Sequence, residues 1–478
     1  MNFVIPSFAP AIPEITLLIL ASLILVADTF WSKRFQNATY YATQASLLVA
    51  GYLVLSSFSV EQVFTFNDSF VRDSFADVLK LFTVAITLGI FLFAREYLVQ
   101  HRFMSGEFFV LGLFGVLGMF VMISANNFIT MYLGLEIMSL AMYAMIALRK
   151  YDGVAVEAGM KYFVLGALAT GMLLYGFSMI YGATGTITFP EMKAVIASGE
   201  ADGIVLAFGV VFVVIGLAFK MGAVPFHMWM PDVYHGSPTA VTLYLGTAPK
   251  LAGFAMVYRL LYEAMPGLVG DWQQLIIIIS ILSMVIGSIV AIAQDNLKRM
   301  LAYSGIGHVG FLLLGVIAAT DDGFSAAMFF IIVYAITGVA GFGMITALSR
   351  TGFEFDRVAD FKGLNAKNPW LALMMLIVMF SMAGIPPFVG FWAKIVVIEE
   401  VVKAGFTWIA VIAVITAVIS AFYYLRVVKS MYFDKSEIQG PVEIISPALH
   451  WGVSFVAILL LALGLLPGSL IDLCYLSI

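Results

Sequence analysis

The sequence is poor in the residues that build redox sites. A single cysteine, Cys474, excludes a disulfide framework and any cysteine-ligated metal or iron–sulfur centre. Five histidines spread over 478 residues offer neither a pair that would ligate haem across a helix bundle nor a metal cluster. No glycine-rich dinucleotide fingerprint follows a strand, and no phosphate loop is present. Cofactor and metal sites are therefore not expected on this chain. Charge is scarce as well: Asp, Glu, Lys and Arg make up 11% of the residues, against about 25% in a soluble domain. There is no basic patch for nucleic acid, no low-complexity tract and no long linker. The first apolar segment lacks the basic n-region of a cleavable signal peptide and is expected to stay as a helix.

What fills the chain is apolar: 62% of the residues are hydrophobic. They come in blocks of about 18 or more, each able to cross a hydrocarbon layer of roughly 30 Å. In lipid a helix closes its own backbone hydrogen bonds, and the blocks lack the period-two alternation of barrel strands. The expected fold is an all-α integral membrane protein with about fourteen transmembrane helices, at 11–31, 38–58, 76–95, 107–124, 126–148, 155–181, 204–235, 237–262, 274–294, 299–319, 325–349, 370–402, 407–431 and 446–468. Alternate loops collect fifteen cations on one side, among them Lys33, Arg34, Arg102, Arg149, Lys150, Arg350 and Lys435, and four on the other: Arg72, Lys193, Arg259 and Lys403. The richer side is expected to be cytoplasmic, which puts both termini outside. Five lysines remain inside spans: Lys80, Lys161, Lys220, Lys250 and Lys394.

The seventh and twelfth spans are too long. Each exceeds 30 residues, or about 45 Å of straight helix. Each is interrupted by a glycine, a proline three residues later, then Phe and Trp: Gly222 and Pro225 in one, Gly384, Pro386 and Pro387 in the other. Proline removes a helix donor and clashes with the preceding turn, so both helices should be discontinuous. The breaks are five helices apart, and an odd offset reverses direction across the membrane. That is the pattern of an inverted repeat around a transport site. The expected division is residues 1–106 for helices 1–3, 107–262 for a first repeat of helices 4–8, 274–435 for a second repeat of helices 9–13, and 446–478 for the last helix. Two ordinary kinks are the plainer alternative.

Charge near the bilayer centre costs about 2.5–3.5 kcal/mol per residue on insertion scales and usually marks function. Glu136, Lys220, Lys250, Lys394 and His308 sit at such depths. Burial disfavours an ammonium and a nearby carboxylate restores it. A lysine between a movable carboxylate and a water chain can thus be switched between holding and releasing a proton. Glu136 with Lys220 is expected to be such a switch, with Lys250, His308 and Lys394 extending a polar line parallel to the membrane. His308 has a packing alternative, and His227 lies beside the first break. Lys161 is either functional or a snorkelling lysine, and snorkelling is the expectation for Lys80. His101 and His235 read as loop residues.

The run Phe219-Lys220-Met221-Gly222-Ala223-Val224-Pro225-Phe226-His227-Met228-Trp229-Met230-Pro231-Asp232-Val233-Tyr234-His235-Gly236-Ser237-Pro238-Thr239 resembles the broken-helix signature of the antiporter-like subunits of NADH:quinone oxidoreductase, respiratory complex I. Its Pro-Asp-Val-Tyr-x-Gly-Ser-Pro portion looks like the subunit N branch. Leu135-Glu136, Tyr303-Ser304-x-Ile306-Gly307-His308-x-Gly310 and Ala383-Gly384-Ile385-Pro386-Pro387 leading to Lys394 fit too. Gly305 departs from a common Ser. The resemblance covers essentially the whole chain. It implies a proton-translocating membrane-arm subunit with Glu136 and Lys220 as the Glu–Lys pair, Lys250 as the connecting lysine and Lys394 as the lysine of the second break. It also implies that FMN, iron–sulfur clusters and quinone are bound by other subunits. The partners would be small quinone-proximal subunits on one side and the next antiporter-like subunit on the other, in a bacterial inner membrane. The competing expectations are a subunit of a multi-subunit cation/proton antiporter, a non-transporting scaffold, and a membrane-bound hydrogenase subunit.

Overall fold

The structure is a computed structural model that describes residues 6–31, 37–101, 103–350, 352–435 and 446–478. Lys33, Arg34 and Arg102 of the cation-rich side lie outside the described residues. The described helices are α1 (Ile12–Phe30), α2 (Ala38–Ser56), α3 (Ser74–Gln100), α4 (Gly106–Ile123), α5 (Phe128–Ile146), α6 (Gly153–Thr184), α7 (Phe189–Ser198), α8 (Gly203–Met221), α9 (Trp229–Gly236), α10 (Thr239–Leu245), α11 (Ala248–Val257), α12 (Val269–Ile292), α13 (Leu297–Ala318), α14 (Asp321–Leu348), α15 (Leu364–Lys367), α16 (Pro369–Ala383), α17 (Val389–Lys403), α18 (Thr407–Phe433), α19 (Pro447–Leu465) and α20 (Gly468–Tyr475). A short antiparallel hairpin, β1 (Val63–Thr65) with β2 (Phe70–Arg72), joins α2 to α3.

Among the described residues, twelve helical runs are long and apolar enough to cross a membrane. The helix α2 and the divided pair α16–α17 occupy the two remaining expected spans. Polar side chains mark where the chain enters a helix. Asp73, Asn127, Asp152, Asp202, Asn296 and Thr320 each accept a hydrogen bond from a first-turn backbone N–H, satisfying donors that have no partner within the helix. The run Thr239–Ala264 is wholly enclosed by its neighbours, α13 and α14 nearly so, and α1, α6, α18 and α19 form the outside.

Both expected breaks are present. Helix α8 ends at Gly222 with φ 76° and α16 at Gly384 with φ 81°, a left-handed turn that costs glycine least. The expected continuous helix at 237–262 is a correction. It is divided into α10 and α11 at Gly246 and Thr247, and continues as a π-helix over Tyr258–Ala264. Here too proline follows glycine by three residues, Pro249 after Gly246, so the signature of the other two breaks recurs.

Two helix crossings rest on glycine. A methyl group built on Gly118 of α4 would lie 2.7 Å from Gly134 O of α5, and one built on Gly287 of α12 would lie 2.8 Å from Tyr303 O of α13. Only a missing Cβ lets backbones approach this closely.

Candidate proton-transfer site

Lys220 stands on the last turn of α8. Its Nζ donates to Ser139 Oγ at 3.0 Å, and that hydroxyl donates to Leu135 O at 2.7 Å. Glu136 lies on the same helix α5, half-buried, one turn before Ser139. It makes no ion pair with Lys220, although its charge acts on Lys220 through space. The Lys220 ammonium thus rests on the Ser139 hydroxyl, and Glu136 acts on it at a distance rather than by direct contact.

Lys250 lies in the first turn of α11, just past the third break, where chain and side chain are fully enclosed. Its Nζ donates to Met221 O, the last carbonyl of α8, at 2.7 Å. The Trp229 ring is 5.8 Å from the same ammonium. Tyr162 stacks on Trp229 at 4.5 Å and Tyr143 meets Tyr162 at 4.8 Å, which forms an aromatic wall from Ser139 toward Lys250.

The second break repeats the arrangement. Lys394 of α17 donates to Ala383 O at 2.8 Å and to Met382 O at 3.2 Å, the last carbonyls of α16. Phe311 lies under the ammonium at 5.2 Å. His308 Nε2 is 3.1 Å from Tyr424 Oη, which is in turn hydrogen-bonded to Ser304. His308, Tyr334, Ser381 and Lys394 line one small cavity with about 20 Å³ of room for water centres, where one water needs about 10–15 Å³. Ser381 Oγ is buried without a hydrogen-bond partner among the described residues, so the cavity offers a water polar contacts.

His227 lies in the segment between α8 and α9, with Nδ1 buried and without a hydrogen-bond partner among the described residues, and its ring is 6.5 Å from Tyr303. Lys161 is apart from this line. It is exposed and pairs with Glu157 at 2.8 Å and Asp232 at 3.0 Å, and Asp232 also holds Arg299 at 2.8 Å.

Several charges sit where sequence reasoning did not place them. Lys80 does not snorkel: it is buried and pairs with Glu14 of α1 at 2.6 Å. Arg259 is not a loop cation. It is fully buried on the π-helix and grips both oxygens of Asp73 at 2.8 Å, with Glu263 at 2.6 Å. Burial raises the Asp73 carboxyl, but the charge and hydrogen bonds of Arg259 outweigh it and hold the group below the usual range. His101 stacks on Tyr97 at 4.0 Å beside Glu354, and His235 lies within α9. Burial likewise pushes the Glu354 carboxyl up, while Lys298, Tyr97, His101 and Thr239 together hold it below the usual range.

The arrangement places exchangeable protons on lysines and a histidine, next to hydroxyls and one water-sized cavity, at three helix breaks. Such a line can pass protons.

Comparison with known proteins gives the family. The family described as NADH:quinone oxidoreductase/Mrp antiporter, TM, matches residues 125–420. NADH-quinone oxidoreductase subunit N of Hydrogenovibrio crunogenus is 71% identical over 478 residues, covering 100% of both chains. A chain of respiratory complex I from Thermus thermophilus superimposes with a TM-score of 0.83 at 30% identity, over 96% of this chain and 99% of that one. A chain of the Mrp complex from Dietzia sp. has the same fold, with a TM-score of 0.81 at 22% identity over 98% of this chain and 96% of that one. The chain belongs to the antiporter-like membrane-subunit family of NADH:quinone oxidoreductase, in its subunit N branch.

Proposed function

We propose that this chain is a proton-translocating membrane-arm subunit of an NADH:quinone oxidoreductase, moving protons through Glu136, Lys220, Lys250, His308 and Lys394 while electrons pass to quinone elsewhere. The observation that carries the reading is the placement of Lys250 and Lys394. Each ammonium is buried and ends on the terminal carbonyls of a broken helix. Broken helices at depth are tolerated where they are covered by protein or line a cavity, and they mark ion sites.

FMN, iron–sulfur clusters and quinone belong to other subunits on this reading. The partners are those subunits, with small quinone-proximal chains on one flank and the next antiporter-like chain on the other. The membrane is the bacterial inner membrane with both termini outside, and α4–α11 and α12–α18 are the inverted repeats. The glycine crossings α4·α5 and α12·α13 fall at equivalent places in the two repeats and support that division. His227, beside the first break, is a further proton carrier, and Lys161 is a surface ion-pair residue at the mouth of α9.

The test is Lys220→Ala in the assembled complex in sealed vesicles. NADH-driven proton uptake and quinone reduction should fall sharply while electron transfer to an artificial acceptor persists. Uptake and coupled turnover near the parent's level would reduce Lys220 to a tolerated polar residue and put the scaffold reading first.

A further inference from the structure

One side chain separates the two halves of the polar line. Lys250 ends the first half, and the cavity of His308 and Lys394 begins the second. Between them lies Met230 of α9, fully buried. A methyl group built on Gly222 would lie 2.7 Å from Met230 Sδ and 3.6 Å from Lys250 Nζ. One built on Gly305 would lie 2.8 Å from Met230 Cε and 2.7 Å from Tyr334 Oη. The thioether therefore has Lys250 near one end and the Tyr334 hydroxyl near the other, and the two glycines leave its space free of other side chains.

Tyr334, on α14, belongs to both sides of this divide. It lines the cavity with His308 and Lys394, and its ring is 5.5 Å from that of His308. Its hydroxyl makes no hydrogen bond among the described residues. A phenol is both donor and acceptor, whereas a thioether has no proton to exchange and accepts weakly. Methionine is also unbranched, with three rotatable bonds, and an apolar constriction can gate by excluding water.

We propose that Tyr334 is the proton-carrying hydroxyl between the two units and that Met230 is the apolar gate in front of it. The proposal rests on the proton-translocating reading above. When Met230 swings aside, water fills its place and takes a proton from Lys250. That water gives a proton to Tyr334 Oη as Tyr334 releases its own to the cavity water beside His308. One O–H bond forms and one breaks on the same oxygen, so the tyrosine ends neutral. Lys250 has lost one proton and the His308 side has gained one. Transfer in the reverse direction has the same balance.

The experiment uses the whole complex in sealed vesicles and reads protons taken up per NADH oxidised, a ratio that the amount of assembled complex does not change. Tyr334→Phe keeps the ring against His308 and removes only the hydroxyl. The ratio is expected to fall severalfold. Met230→Ala removes the plug, so the proton gradient should collapse faster than the parent's once NADH is exhausted, while Met230→Leu should hold it. A parental ratio in Tyr334→Phe, with the ratio lost in Lys220→Ala of the same series, overturns the relay and leaves the function standing. A parental ratio in both overturns both. An unchanged decay in Met230→Ala overturns the gate.

Discussion

Lys394 Nζ lies 2.8 Å from Ala383 O, the last carbonyl of the helix on the far side of its own break. The last carbonyls of a helix have no partner inside it, and the helix dipole favours a cation there. Lys394 is therefore a structural cap, and on the proposed function the loss of its proton weakens that cap. Lys250 does the same for α8 through Met221 O.

A guanidinium retains the cap but does not give up its proton. Lys394→Arg should assemble, reduce an artificial acceptor normally and lose NADH-driven proton uptake. Parental uptake in this variant would mean that Lys394 serves α16 alone.

The Ser139 hydroxyl is the only hydrogen-bond partner of the Lys220 ammonium among the described residues. A hydrogen bond to a charged group contributes about 1.5–3 kcal/mol, and about 1.4 kcal/mol is tenfold in rate. Ser139→Ala should lower coupled quinone reduction by roughly tenfold, and Ser139→Thr should restore most of it. Equal rates in Ala and Thr variants would remove Ser139 from the account.

The Lys80–Glu14 pair ties α3 to α1, with the Phe70 and Phe120 rings against the ammonium. Breaking a buried pair on one side costs about 3–5 kcal/mol, while replacing both partners with apolar residues is often neutral. Lys80→Ala should lower the melting temperature of the detergent-solubilised complex, and Lys80→Met with Glu14→Leu should recover most of the loss. If the double replacement melts no higher than Lys80→Ala, the pair does more than bury two charges.

Asp73 gives the fold an acid limit. Its carboxyl is held below the usual range by Arg259, so the folded state binds its proton less readily than the unfolded chain. That stabilisation is complete above the unfolded value of about 3.9 and is lost as pH falls through the lower folded value. Asp73→Asn should therefore melt lower than the parent at neutral pH, with the gap closing below about pH 4. The check is the melting temperature of both forms across pH, and a gap that widens on acidification would contradict it.

The all-helical membrane fold, the breaks at Gly222 and Gly384 and the burial of Lys250 and Lys394 were legible because each is a local pattern: apolar length, a Gly–Pro spacing, a lone charge at depth. The partners were not, because they come from distant segments. Glu14 lies in the first turn of α1 and reads as a helix-start acid, yet it is the counter-ion of Lys80. Arg259 reads as a loop cation until the π-helix turns it onto Asp73, nearly two hundred positions away. The break before Lys250 did carry a local signal, Gly246 followed by Pro249, but its span was short enough to pass as one helix. Tyr334, Tyr424 and Ser139 are common residues in membrane helices, and only their three-dimensional neighbours single them out.

Protons are proposed to cross this chain along one line through the three breaks, and the most direct measurement is protons taken up per NADH oxidised in Lys220→Ala, Lys394→Ala and the two combined. Groups that act in series are not additive. The account predicts that each single variant lowers the ratio to the same value and that the double variant goes no lower. Losses that add in the double variant, or a parental ratio in either single one, would contradict a single line.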